Sequence, residues 1–249
     1  MTDRKEDVAR TGRPLQRPSR SAATIVPAML CAALGLALLV LAVPRTIAAW
    51  FALGAAPALD KLQMDKSPYD AELVTGISAL ERSIFWIPSG KRLTDLVLLL
   101  AVQAERLPPD DPRREDLLKQ SEQHLVNGLL ANPADGFAWL RLAVVRELRG
   151  EQSQQIAVAL AQSIDVAPNM RRLWLFRAAL VLRHWRSFSV DDLMAMQSQL
   201  RTIWSVQSYR LPLLQLADKL GQGPILRWAL SGDATAESEY DQLKELEPR

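Results

Sequence analysis

The sequence has little of the residue types from which catalytic and metal sites are built. It contains one cysteine and two histidines among 249 residues. A single cysteine, Cys31, excludes an intramolecular disulfide. His124 and His184 stand far apart in the sequence, in no spacing typical of a metal site. We therefore predict no bound metal and no cofactor.

The motifs of several enzyme classes are also missing. The sequence has no phosphate-binding loop, no glycine-rich dinucleotide turn and no serine-nucleophile elbow. Its acid pairs, at residues 110–111 and 191–192, fall at predicted helix starts, where negative charge stabilises the helix dipole. The formal net charge of +2 is too small to indicate nucleic-acid binding. We predict that the chain is not an enzyme and does not bind nucleic acid.

One long apolar run is present, at residues 22–43. It carries no charge and supplies the roughly 20 residues that cross a bilayer as a helix. The sequence therefore predicts a transmembrane helix at 22–43. The alternative is a cleaved signal peptide, but its apolar region is normally shorter, about 7 to 15 residues. Residues 44–67 form a juxtamembrane segment, in which Trp50 and Phe51 fit either an interfacial aromatic belt or a first helix of the following domain.

Charge asymmetry around this run predicts its orientation. The tail 1–21 lacks apolar periodicity and is predicted to be disordered, and it has six basic residues, whereas only Arg45 follows the run closely. By the positive-inside rule the N-terminus is cytoplasmic. We expect a single-pass protein of the inner (cytoplasmic) membrane with an extracellular domain, which in a Gram-negative bacterium is periplasmic.

The strongest pattern is an internal repeat of 35 residues. Six positions of one block recur in the next: Ser121, Leu125, Gly128, Pro133, Trp139 and Ala143 correspond to Ile156, Leu160, Ser163, Pro168, Trp174 and Ala178. A period in the mid-thirties is typical of stacked helical hairpins. A third, partial copy places Gly76, Leu80, Ser83 and Pro88 at the same spacing, with ten additional residues that we assign to the proline-rich stretch 107–116.

These blocks resemble tetratricopeptide repeats, which have an aromatic early in the first helix, a small residue four later, a glycine between the helices and a proline after the second. Trp139, Ala143, Gly150 and Pro168 match one unit. The resemblance implies an all-α fold in which residues 68–190 form a short solenoid. Residues 191–249 are then a helical cap with an acidic tail, because the period is not recognisable beyond Ala178. Within it we predict a helix from Ser189 to Tyr209 and a break at Pro212.

The resemblance also implies a binding groove along the first helix of each pair. The positions two before, one after and five after each tryptophan would line it, and they are Phe137, Leu140, Val144, Arg172, Leu175 and Ala179. These residues depart from the Lys, Arg and Asn set that clamps a peptide C-terminus and make the groove largely apolar. Such a groove suits an amphipathic helix, supplied either by a partner or by residues 191–230 of the same chain.

A second candidate surface combines arginines with aromatics in residues 171–188. An anionic ligand would be held by Arg171, Arg177, Arg183 and Arg186. The alternative is a helix whose aromatics face the core and whose arginines are solvated.

Two functions remain open at this stage. The first is a membrane-anchored interaction scaffold that binds other envelope or membrane proteins, by analogy an accessory of cell-envelope or exopolysaccharide assembly. The second is an envelope enzyme or enzyme subunit that acts on glycans through the arginine and aromatic face, with Arg172 and Arg183 essential. Fold alone does not decide between them.

Overall fold

The computed structural model describes residues 22–64 and 66–246, so the predicted disordered tail 1–21 lies outside the described residues. Within these ranges all regular structure is helical, as the all-α prediction requires, and no strand is present. The α-helices are α1 (Ala22–Ala52), α2 (Ala56–Gln63), α3 (Asp70–Trp86), α4 (Gly90–Glu105), α5 (Pro112–Ala131), α6 (Gly136–Leu148), α7 (Ser153–Val166), α8 (Trp174–His184), α9 (Val190–Trp204), α10 (Gln207–Lys219), α11 (Gly223–Leu230) and α12 (Ala234–Leu246). Short 3₁₀ turns occupy Leu53–Ala55, Arg171–Leu173 and Trp185–Ser187.

The chain divides into two compact units within α1, one ending at Pro44 and the other beginning at Arg45. In the first unit residues 27–43 are all exposed. An 18-residue window of the helical segment that begins at Pro27 has a mean hydropathy of 2.3, and this segment is long and apolar enough to cross a membrane. The helix does not stop at the predicted end of the apolar run but continues to Ala52.

The second unit is a stack of helical hairpins. α4 packs on α5 and α6 packs on α7, while contacts between α4 and α6 and between α7 and α9 join successive hairpins. The predicted C-terminal cap is helical throughout its described part. Its first helices extend the stack, because α10 packs on α8 and α11 packs on α9, and α12 then covers α10 and α11.

The two tryptophan-bearing copies fold alike. The indole of Trp139 donates a hydrogen bond of 2.8 Å to the carbonyl of Pro133, and the indole of Trp174 donates one of 3.0 Å to the carbonyl of Pro168. In both copies the proline follows the end of one helix, and its carbonyl accepts from the tryptophan near the start of the next. The alignment of the two copies thus corresponds to a repeated three-dimensional arrangement.

Several helix ends follow from local sequence signals. Gly150 follows α6 with a φ of 69°, a left-handed backbone that glycine adopts without a side-chain clash. Ser189 caps α9, since its Oγ accepts a hydrogen bond of 3.2 Å from the amide of Asp192. α3 begins after Tyr69, whose amide donates to the carboxylate of Glu72 at 2.8 Å.

The prediction of one helix from Ser189 to Tyr209 is wrong, because this stretch contains two helices. α9 ends at Trp204 and α10 begins at Gln207, with extended backbone at Val206 between them. Tyr209 stands 35 residues after Trp174 and contacts it edge-on at 5.2 Å between ring centroids. The period therefore continues beyond Ala178 with tyrosine in the tryptophan position. The expected break at Pro212 does not occur, and α10 runs through it at the loss of one backbone hydrogen bond.

The small residues of the repeat allow a close approach between helices at some positions only. At Ser83 the Oγ donates a 2.6 Å hydrogen bond to the carbonyl of Ala48. A Cβ on Gly76 would lie 2.9 Å from Leu99 Cδ1. A Cβ on Gly128 would meet nothing closer than 3.6 Å. The ten additional residues are not confined to the stretch 107–116, because α5 has 20 residues where α7 has 14.

Candidate functional site

An apolar depression of about 300 Å³ lies on the face formed by α4, α6 and the start of α8. It is lined by Val97, Leu98, Ala101, Phe137, Leu140, Arg141, Val144, Val145, Arg172, Leu173 and Phe176. We call this site the α4–α6–α8 groove. No described residue from α9 to α12 lines it, so the C-terminal helices leave it open.

Four of the six residues predicted for the groove do line it: Phe137, Leu140, Val144 and Arg172. The other two, Leu175 and Ala179, are half-buried elsewhere on α8. The reason is local. α8 is preceded by the 3₁₀ turn Arg171–Leu173, which has about 3.0 residues per turn instead of 3.6. Each residue of the 3₁₀ turn advances by a larger angle around the helix axis than a residue of an α-helix does. The residue that lines the groove here is therefore Leu173 and not Leu175.

The sequence analysis missed two residues that dominate the groove, Arg141 and Phe176. Both stand two positions after a repeat tryptophan and are therefore equivalent. Positions two before, one after, two after and five after the tryptophan form one helical stripe with spacings of three and four. Completing that stripe would have found both. The contribution of α4 was not predictable in this way, because Val97, Leu98 and Ala101 do not follow the register of the later copies.

Arg141 is the distinctive polar group of the groove. Neither a hydrogen bond nor an ion pair to its guanidinium occurs in the described part of the chain. Burial lowers the pKa of Arg141, and this effect outweighs the opposing fields of Asp95 and Asp135. Both carboxylates are engaged elsewhere, since Asp95 pairs with Lys91 at 2.8 Å and Asp135 caps the start of α6. Arg141 is half-buried, so the groove holds a partly desolvated positive charge without a contacting anion among the described residues.

The rim of the groove complements this interior. Phe176 is 70% exposed, and Arg172 is exposed beside it. No Asp or Glu is among the lining residues. The groove therefore offers apolar surface with two positive charges and no negative charge, which favours an occupant that is apolar and carries a carboxylate or another anion.

The predicted anionic-ligand face does not exist as one surface. Arg171, Arg183 and Arg186 are exposed, but Arg177 is fully buried. Six residues of helix correspond to a rotation of about 240°, so arginines spaced by six point in different directions. Arg183 is paired with Glu147 at 2.6 Å, and Arg171 and Arg186 lie over the rings of neighbouring tryptophans.

The buried Arg177 has a structural role instead. Its guanidinium donates to the carbonyl of Ser163 at 2.5 Å, the carbonyl of Ala167 at 2.7 Å and the Oγ of Ser163 at 3.0 Å. Two of these acceptors are carbonyls at the C-terminal end of α7, which a helix leaves without internal partners. Burial lowers the pKa of Arg177 to about 10, and it remains charged at neutral pH.

The histidines are accounted for by neighbouring helices. His184 Nε2 lies 3.0 Å from the carboxylate of Glu147, and burial lowers the pKa of His124 although Glu81 opposes the shift. Among the residues that the structure describes, no three His, Cys, Asp or Glu side chains converge as a metal site would require.

Comparison with protein-family models, with curated proteins and with solved structures finds no match.

Proposed function

We propose that the chain is a membrane-anchored, non-catalytic scaffold of tetratricopeptide-like repeats that binds a partner protein in the α4–α6–α8 groove. The observation that carries the proposal is Arg141, a half-buried arginine with no contacting anion among the described residues, in an apolar groove. An occupant that covers the groove would bury this charge further, and a buried charge is costly unless it is paired, so an occupant that brings a carboxylate is favoured. The repeated indole hydrogen bonds to Pro133 and Pro168 support the tetratricopeptide-like assignment.

The partner that fits is an amphipathic helix with one acidic residue on its apolar face. Leu140, Val144 and Phe176 supply apolar surface from two helices, which is how a helix-binding groove is built. An Asp or Glu of the partner would lie against Arg141. The excess of basic residues before the apolar run supports a location of the second unit on the extracytoplasmic side, where the partner would be another envelope or membrane protein.

Site-specific photocrosslinking in intact membranes tests the proposal. A photoreactive phenylalanine analogue at Phe176 should capture one partner, while the same analogue at Met194 on α9 should not. The two positions are a matched pair because each native side chain is 70% exposed. Equal capture from both positions would contradict a groove-specific partner.

The role of the charge is tested by Arg141→Gln, which keeps much of the side-chain volume but removes the cation. Loss of a buried charge pair should lower the partner's affinity at least about tenfold. The control is Arg171→Gln, an exposed arginine outside the groove lining. The variant is shown to be folded by a circular dichroism spectrum like that of the native protein. If its affinity for the partner is then unchanged, the proposal that the partner helix carries an acidic residue is wrong.

A further inference from the structure

A ladder of contacts sets the direction of α3 relative to the segment that follows the predicted span. Lys61 pairs with Glu72 at 2.7 Å, and Ser83 Oγ donates to the carbonyl of Ala48. Between these two contacts, a Cβ on Gly54 would lie 2.9 Å from the Cβ of Ala79. Higher residue numbers on α3 therefore face lower numbers on the earlier segment. The pairing is antiparallel, and continuing it brings the end of α3 to the level of Arg45.

This end of α3 exposes large aromatic side chains. Phe85 is 84% exposed and Trp86 is 43% exposed, with their rings in an edge-to-face contact at 6.4 Å. Trp50, on the segment that α3 packs against, is 74% exposed. Large aromatic side chains of this kind bury about 150 to 250 Å² each when they are covered. Their joint exposure therefore indicates a surface that contacts a lipid bilayer or another molecule.

Chain length places this surface near a bilayer. Arg45 follows Val43, the last residue of the apolar run, by two positions, and Ala48 follows it by five. Five residues of helix rise about 8 Å. The polar interfacial layer on each side of a bilayer core is roughly 5 to 8 Å thick. Ser83 contacts Ala48, so this end of α3 is tied to a residue only five positions of chain beyond the apolar run.

We propose that the turn between α3 and α4, residues 85–92, rests in the interfacial layer of the same bilayer that the apolar run crosses. The inference depends on the membrane anchor of the proposed function but not on the groove. A lipid interface is the occupant that the nearby apolar run suggests. Tryptophan is enriched there because its ring is apolar while its indole N–H remains hydrated, and the Phe85 ring adds apolar surface beside it.

The charges near the turn agree with contact to anionic headgroups. Three basic residues lie at this end: Arg82, whose guanidinium is 6.0 Å from the ring centroid of Phe51, Lys91, which is 83% exposed at its side chain, and Arg92. Two acidic residues lie nearby, Glu81 and Asp95, and Asp95 pairs with Lys91. The excess is positive, which favours phosphatidylglycerol-type headgroups over neutral ones.

The test uses the full chain in vesicles of phosphatidylcholine and phosphatidylglycerol, one set with a nitroxide near the headgroup end of the acyl chain for the turn and one set with a nitroxide near its methyl end for Cys31. A thiol-reactive fluorophore on the native Cys31 reports the apolar run. The same fluorophore in Cys31→Ser/Phe85→Cys reports the turn. The matched control is Cys31→Ser/Ala71→Cys, because Ala71 is exposed at the other end of α3, about 21 Å away along the helix. Phe85 is mostly exposed, so its substitution leaves the core intact.

We expect quenching at position 85 several-fold stronger than at position 71, with a blue-shifted emission. Equal quenching at the two positions, with Cys31 quenched, would overturn the membrane contact while leaving the anchor in place. Absent quenching at Cys31 would overturn the anchor and the contact together. A blue shift at position 85 that depends on protein concentration without lipid quenching would assign the surface to a second copy of the chain.

Discussion

The two tryptophan-bearing copies share one hydrogen bond but differ in their surroundings. Trp139 and Trp174 each donate to the carbonyl of a proline six residues earlier. Trp174 is 3% exposed and contacts Tyr209 of the following copy, whereas Trp139 is half-buried. The comparison shows that the motif within a copy orients the ring, while the next helix in the stack determines how deeply the ring is buried.

The copies also end their second helix differently. In α5 the carbonyl of Gly128 accepts a hydrogen bond of 2.9 Å from the amide of Asn132, one residue past the helix. The corresponding carbonyl in α7 belongs to Ser163, and Arg177 donates to it from α8. The residue that corresponds to Arg177 in the earlier copy is Leu142, which is buried without any polar role. One copy thus completes its helix end locally, and the other does so through a neighbouring helix.

The largest expected effect is the loss of stability on replacing Trp174, compared with the loss on replacing Trp139. Trp174→Ala should lower the free energy of unfolding by about 3 to 5 kcal/mol, because it removes a fully buried ring and its contact with Tyr209. Trp139→Ala should cost roughly half as much, since that ring is half-buried. Urea unfolding of the detergent-solubilised full chain, followed by circular dichroism, measures both. Equal losses of unfolding free energy would show that packing against the following copy does not stabilise the tryptophan.

The second prediction concerns the end of α7. Arg177→Leu, which installs the residue of the earlier copy, should lower the free energy of unfolding by about 2 to 4 kcal/mol, because the carbonyls of Ser163 and Ala167 lose their donor. The control is Leu142→Met, a volume-conserving change in the earlier copy that should cost less than about 1.5 kcal/mol. A fully stable Arg177→Leu protein would mean that α7 can complete its end as α5 does.

The third prediction uses two glycines. A Cβ on Gly136 would lie 2.6 Å from the Cβ of Ala167 and 3.1 Å from the guanidinium of Arg177, so Gly136→Ala should destabilise by about 1 to 3 kcal/mol. Gly128→Ala has ordinary contact distance to Leu93 and gains helix propensity, so it should stabilise by up to about 1 kcal/mol. Thermal unfolding of both variants checks the opposite signs. Destabilisation by Gly128→Ala would instead assign that position to close packing.

The smallest expected effect is a pH dependence in α5, at His124, whose counterpart in α7 is the buried Ala159. Burial holds the pKa of His124 below its ordinary value of 6.5. The unfolded chain therefore binds more protons than the folded chain just below that value, and stability falls as the pH drops through 6.5. His124→Gln should flatten this part of the stability profile. A slope unchanged in His124→Gln would assign the proton uptake to other groups.

Much of the fold could be predicted because its signals are local. Pro133, Pro168 and Gly150 end or separate helices through their own backbone restrictions, and the tryptophan period aligned two copies that do fold alike. The groove was predicted in part for the same reason, since Phe137, Leu140 and Val144 lie on one stripe of a single helix. The predicted groove positions were wrong at the 3₁₀ turn before α8, where the helix geometry changes, and α4 contributes positions that the repeat alignment does not give. It also failed where tyrosine replaced tryptophan at Tyr209.

The amino-acid sequence by itself determined the apolar run, the helical class and the repeating unit, because length, periodicity and backbone preference act over a few neighbouring residues. Only the tertiary structure decided that Arg177 is a buried partner of α7, that Arg141 lines an open groove, and that Phe85 and Trp86 are exposed. Each of these depends on which helix packs beside which, and burial, pairing and exposure are properties of that packing rather than of the local chain.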